Sequence, residues 1–228
     1  MVEPAILDAL WITFQAAFGA VLLAGAPGVL VGWTLARRDF RGKALVETFC
    51  ALPLVLPATA IGYLLLSLFA RDGLFGERRL GFDPGVLFTL RGAILASAVM
   101  SFPLIARTAR EAFERVDPRL ELMARSLGMG PLAAFARVSL PLAGRGLAGA
   151  LVLGFGRALG EFGATVIVAG NIPGRTQTLA LAIFEDIQLD DRERALKLVG
   201  LTCVLAFAVL AASERFLARD RAGSAART

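Results

Sequence analysis

The stretch Glu121-Leu-Met-Ala-Arg-Ser-Leu-Gly128, followed by Gly130-Pro131 and by Phe135-Ala-Arg-Val138-Ser-Leu140-Pro141, decides how the chain is read. It is a polar, Gly-interrupted segment between two long apolar runs. Asp117-Pro118 marks a helix start, because Asp at an N-cap accepts from free N–H groups and Pro suits the first helical position. Leu120, Met123, Ala124 and Leu127 then fall on one face at helical spacing. Gly128 and Gly130 end that helix by permitting left-handed backbone. Pro131 restarts it, and Leu132, Phe135 and Val138 carry an apolar face on to Leu140-Pro141. We expect two short helices at an angle, with one apolar side packed on the rest and the Gly corner presented outward. Such a loop is either a docking surface for a partner or an amphipathic segment on the membrane surface. Periodicity leaves both open.

The sequence around this loop is that of an integral membrane protein. It has 228 residues, 57% hydrophobic and 19% charged, with a mean hydropathy of +0.68. A soluble domain carries about 45–50% apolar and about 25% charged residues. The net charge is +5, but the basic residues cluster in particular loops, as topology determinants do. A nucleic-acid surface would stand on a soluble fold with interleaved exposed aromatics, so no nucleic-acid partner is expected. Cys50 and Cys203 both sit in apolar runs and offer neither a disulfide framework nor metal-ligand spacing. The sequence has no histidine, which excludes a His-based zinc site or pH switch.

A helix needs about 20 apolar residues to cross the hydrocarbon core. Five runs qualify, near residues 10–35, 46–69, 86–105, 142–169 and 196–216. Lipid forces each to be helical, because every backbone N–H and C=O must bond within its own segment. The first run follows no basic segment and is too long for a cleaved signal peptide, so it is expected to be a retained span. Loop charges set the orientation. The first loop, Arg37-Arg-Asp-Phe-Arg-Gly-Lys43, is basic. So are the third, with Arg107, Arg110, Arg115, Arg119, Arg125, Arg137 and Arg145, and the tail, with Arg215, Arg219, Arg221 and Arg227. Five spans put all three on one side. The fourth loop holds Glu185, Asp186, Asp190, Asp191 and Glu193 against Arg175, Arg192 and Arg194. The expectation is an N-terminus outside and a C-terminus inside, a single membrane domain over 1–218, and a flexible cytoplasmic tail over 219–228.

Several residues inside the runs carry chemistry. Pro53 and Pro57 are four apart on one face, and each removes an intrahelical bond. They mark either a broken helix lining a cavity or a kink packed on its neighbours. Arg157 and Glu161 are also four apart, and charges at membrane depth must face a cavity or each other. They form either a gate biasing two states or a static ion pair. Thr165, Asn171, Arg175 and Thr176 flank the outer end of the fourth run, where Asn-Ile-Pro-Gly is turn chemistry. They shape an external mouth or an ordinary loop. Gly154, Gly156 and Gly160 let helices approach closely, within one subunit or at a dimer seam. Gly144-Arg-Gly146-Leu-Ala-Gly149 spells a dinucleotide fingerprint but follows Leu-Pro instead of a strand, so its context fails. With no phosphate-binding Gly-Lys-Ser/Thr loop either, the chain is expected to be no enzyme and to hold no cofactor.

The loop pattern resembles that of the permease subunits of binding-protein-dependent ABC importers, which has a Glu-Ala-Ala-like start, a Gly and an Ile/Val-x-Leu-Pro end. Glu121 to Ala124, Gly128 and Val138-Ser-Leu140-Pro141 correspond to these. The acidic residue stands one place early, with Leu122 and Met123 where the family often has Glu or Gln and Ala. Leu52-Pro-Leu-Val-Leu-Pro57 with Gly62-Tyr63, Arg91-Gly-Ala, Met100-Ser-Phe-Pro103, and Leu159-Gly-Glu-Phe-Gly-Ala-Thr165 with Gly170-Asn-Ile-Pro-Gly174 look like the molybdate branch. Sulfate permeases are similar but tend to be longer, with Gly-Glu-Tyr-Gly-Ser-like sequences.

The resemblance implies an all-α type I permease fold of about five spans in a bacterial inner membrane. The coupling loop would lie at about 112–141, with Glu121, Ala124, Leu127, Gly128, Gly130, Phe135 and Pro141 as coupling residues. Pro53, Pro57, Arg157, Glu161, Gly163 and Thr165 would belong to the pathway or gate, and Asn171, Arg175 and Thr176 to the external mouth. The implied partners are a second copy of the chain, two copies of a cytoplasmic ATPase that holds ATP and magnesium, an external molybdate-binding protein and membrane lipid. The implied cargo is molybdate, with tungstate as a second candidate. A sulfate or thiosulfate permease and a secondary anion transporter are the alternatives.

Overall fold

A computed structural model describes residues 4–225, with side chains over 5–214. Every regular element among the described residues is a helix, and no strand occurs among them. Helix α1 (Pro4–Arg37) leads to α2 (Lys43–Val55) and α3 (Ala58–Phe69). A one-turn α4 (Glu77–Leu80) precedes α5 (Leu90–Glu114). Then come α6 (Pro118–Ser126), α7 (Pro131–Ala134), a π-helical turn (Phe135–Ser139) and α8 (Leu140–Leu159), followed by α9 (Gly163–Val168), α10 (Leu179–Gln188) and α11 (Arg192–Ala225). Four of these stretches are long and apolar enough to cross a membrane on their own: α1, α5, the run from α7 through α8 to Leu159, and α11. The α2–α3 pair makes a fifth if counted as one broken span. The side chains of the expected tail, 219–228, lie outside the described residues.

Two expected spans are not continuous. The run at 46–69 is broken between Val55 and Ala58, and its halves bend by 107°. The cause is local. Proline pushes the residue before it out of the α region, and Leu56 is extended at φ −69°, ψ 144°. The Pro57 carbonyl then accepts from the Ala60 and Ile61 amides to start α3. The run at 142–169 is broken at Gly160-Glu161-Phe162, which separates α8 from α9. The segment expected as the fourth loop contains α10, seated on the N-terminal half of α1 and on α11 through Ile6, Ala9, Leu179, Ala182 and Leu198.

Small residues hold the long helices together. Helix α1 lies along α5 with Ala17, Ala20 and Ala24 against Ala98 and Ile105. A Cβ on Gly32 would stand 2.8 Å from both the Ala106 carbonyl oxygen and the Arg110 amide nitrogen. Such close backbone approach gives dispersion contact where lipid supplies no hydrophobic drive. Gly154 and Gly156 resolve the same way, within one subunit: Cβ atoms there would meet Ile105 on α5 and Val209 on α11. The halves α3 and α9 meet just as tightly. A Cβ on Gly62 would lie 2.9 Å from Ala164 Cα, and one on Gly163 would lie 2.8 Å from Ala58 Cβ.

The contact at Gly62 is with backbone, which has nowhere to move. Gly62→Ala is therefore expected to push α3 from α9 and cost about 1–3 kcal/mol, read as a lowered melting temperature in detergent. An unchanged melting temperature would mean the two halves do not touch there.

Candidate coupling surface and broken-helix site

The loop over residues 117–141 is built as two faces. Asp117 caps α6, its carboxylate accepting from the Arg119 amide at 2.9 Å. Gly128 ends the helix at φ +90°, a conformation that suits glycine. On the inner face Ala124 and Ala134 are buried, and Phe135 is 8% exposed. The Phe135 ring lies 4.7 Å from that of Trp33 on α1 and 6.0 Å from that of Phe113 on α5. Glu121 turns inward as well. Its Oε2 accepts from the Ser139 hydroxyl at 2.9 Å and lies 3.4 Å from Arg37 Nε.

The outer face is apolar. Leu127 is 83% exposed, and Leu122, Met123 and Leu132 are exposed beside it. Arg119, Leu122, Met123, Ser126 and Leu127 line an open depression of about 390 Å³. The expected apolar face of Leu120, Met123, Ala124 and Leu127 is therefore corrected: only Ala124 packs inward, and the other three are exposed. Gly130 sits at the corner and Pro141 in the first turn of α8, both exposed. Leu122 and Leu132 join the outer face, and Arg37, Trp33 and Ser139 join the inner one. Ser139 stands at the variable position of Val-x-Leu-Pro, where the sequence gives no signal.

The second site lies at the α8–α9 break. Glu161 is 2% exposed, and its Oε2 lies 2.9 Å from Arg157 Nη1. Its Oε1 accepts from the Ala164 amide at 2.9 Å, so the carboxylate supplies a partner for one of the free N–H groups that open α9. Arg157 is 31% exposed. Pro57 is exposed at the other break and Pro53 half-buried in α2. Thr165 is fully buried, and its hydroxyl has no hydrogen-bond partner among the described residues. Gly163 meets Ala58, the residue after Pro57, so the start of α9 stands against the start of α3.

At the far end, the Asn-Ile-Pro-Gly turn closes on itself. The Ile172 carbonyl accepts from the amides of Arg175, Thr176 and Gln177. The buried Thr176 hydroxyl accepts from the Ile172 amide at 3.1 Å and donates to the Gly170 carbonyl. Asn171 donates to Glu185 Oε2 at 2.9 Å, and Gln177 donates to the same oxygen. Arg175 is exposed. Asn171 and Thr176 therefore hold the loop, and Glu185 is the residue the sequence did not single out.

Residues 28–219 match the family described as the binding-protein-dependent transport system inner membrane component. The chain belongs to that family. It is 44% identical over 208 residues to the molybdenum transport system permease protein ModB of Escherichia coli K12, covering 90% of this chain and 91% of that one. It is 34% identical over 218 residues to the sulfate transport system permease protein CysT of Salmonella typhimurium, covering 94% of this chain and 79% of that one. Its fold resembles that of a bacterial ABC transporter involved in the import of the acidic polysaccharide alginate. There the TM-score is 0.75 at 15% identity, over 96% of this chain and 80% of that one. The fold is that of a type I ABC importer permease. Permease subunits of this family are not themselves enzymes.

Removing one partner of a buried ion pair costs about 3–5 kcal/mol, because it strands the other charge. Arg157→Met is expected to destabilise the protein by that order, and Arg157→Met combined with Glu161→Gln to recover most of the loss. Thermal unfolding in detergent reads both. Equal losses for the single and double variants would show that the pair does not carry the break.

Proposed function

We propose that this chain is the membrane permease of an ATP-driven molybdate importer, working as a pair of identical subunits. Each copy receives one separate ATPase subunit at the corner around Gly128. The observation that carries the docking reading is the exposed apolar surface of Leu122, Met123, Leu127 and Leu132 on a loop whose inner face is locked to α1, α5 and the π-helical turn. An apolar patch fixed in place on a rigid corner is what a partner's groove needs. Ordinary lipid contact requires no such bracing.

ATP and magnesium belong to the ATPase, and an external binding protein delivers the anion. Binding of ATP draws the two loops together and opens the spans outward, and hydrolysis resets them. The basic loop 37–43 and the coupling loop lie at one end, joined by the Arg37 contacts. With positive charge inside, this end is cytoplasmic and the N-terminus is outside. Molybdate is preferred to sulfate because identity is 44% to the molybdenum permease against 34% to the sulfate permease. Tungstate is expected to share the path.

Two measurements test the reading. Leu127→Asp and Gly128→Arg are each expected to abolish co-purification with the ATPase and to reduce uptake to background. A complex that survives both would place docking elsewhere. Proteoliposomes holding the permease, ATPase and binding protein are expected to take up labelled molybdate only with ATP, with competition by tungstate and not by sulfate. Sulfate competition would assign the chain to the sulfate branch, and ATP-independent uptake would make it a secondary transporter.

A further inference from the structure

The inner face of the coupling loop is held by a charged knot that joins four separate elements. Arg37, the last residue of α1, donates from Nη2 to the Val116 carbonyl at 2.8 Å, just past the end of α5. Its Nε lies 3.4 Å from Glu121 Oε2 on α6. The same Oε2 accepts from Ser139 Oγ in the π-helical turn that leads into α8, at 2.9 Å. The Arg37 and Glu121 side chains are 10% and 14% exposed, so water screens the pair only weakly. The aromatic contacts of Phe135 with Trp33 and Phe113 lie beside the knot and join the same elements.

From this geometry we infer that Arg37 is a positioning residue for coupling. The inference rests on the reading of this loop as the ATPase docking site. Force applied to Leu122, Met123, Leu127 and Leu132 reaches α6 and α7 first. Aromatic packing transmits compression, but a ring pair adds only about 0.5–1.5 kcal/mol beyond its buried area, and a buried hydrogen bond from a charged group resists sliding more strongly. From one planar group the Arg37 guanidinium donates a directional hydrogen bond to the end of α5 and makes an ionic contact with Glu121 on α6. It therefore moves α1 and α5 with the loop instead of letting the loop slip. Lysine keeps the charge but offers a single point donor and cannot reproduce both contacts.

The test uses the reconstituted complex with its ATPase and binding protein, loaded with labelled molybdate. Arg37→Gln is expected to keep the complex assembled and hydrolysing ATP within about twofold of the parent, while transport per ATP falls tenfold or more. Arg37→Lys should recover part of that ratio. Ser139→Ala removes one contact without stranding a charge and should lower the ratio less; it serves as the second variant if Arg37→Gln does not assemble. Transport and hydrolysis falling in proportion would show that the knot only holds the fold. An unchanged ratio in Arg37→Gln, or in Ser139→Ala where that variant stands in for it, would also overturn the inference. Failure of the docking reading shows separately, as a parent complex whose association is insensitive to Leu127→Asp.

Discussion

A helix that stops inside an apolar run must find partners for the backbone groups it frees, and two such stops set the architecture of this chain. At one of them proline is the cause and part of the remedy, since Pro57 has no N–H to satisfy and its carbonyl opens α3. At the other a carboxylate is needed. Glu161 accepts from the Ala164 amide, and its charge is balanced by Arg157. A six-residue helix such as α9 is too short to hold itself by internal hydrogen bonds. Its place is fixed by this carboxylate at the start, by α3 along its side, and by the Phe88 amide, which donates to the Val168 carbonyl at its end.

Helix α1 links this region to the coupling loop. At 34 residues it is about 51 Å long at 1.5 Å per residue. Near one end the Thr13 hydroxyl accepts from the Leu179 amide at the start of α10. At the other, Arg37 and Trp33 grip the loop. Between them, close backbone contact at Gly32 keeps α1 and α5 from moving independently. Under the proposed coupling, a helix fastened at both ends is the element that carries displacement from the loop toward the opposite end.

The sequence made the apolar runs legible, because lipid imposes length and helicity together. It also showed the Asp117 cap, the left-handed Gly128 and the Arg157–Glu161 spacing, since each is a local backbone or i, i+4 property. Two things stayed hidden. Gly-Glu-Phe-Gly reads as continuing helix, and the break appears only once the Glu161 carboxylate turns back to the Ala164 amide. Periodicity groups Leu120, Met123, Ala124 and Leu127, yet cannot say that only Ala124 turns inward. The answer depends on Phe113 and on Trp33, which is remote in sequence; both fill the inner side with Phe135.

The acidic residue that stands one place early in the loop has a structural consequence. One position on an α-helix is a rotation of about 100°. A carboxylate at position 122 would sit where Leu122 is, exposed on the outer surface. At 121 it shares the inner face with Ala124, three residues on, and meets Arg37 and Ser139. The shift therefore separates two tasks along a single helix. Under the proposed docking, attraction to the ATPase rests on apolar contact, which is adaptable and tolerates small changes of angle. Alignment within the subunit rests on ionic and hydrogen-bonded contacts, which are directional and shielded from solvent. A charge on the outer surface would have to be desolvated at every docking event, whereas Glu121 is already desolvated and paired within its own chain.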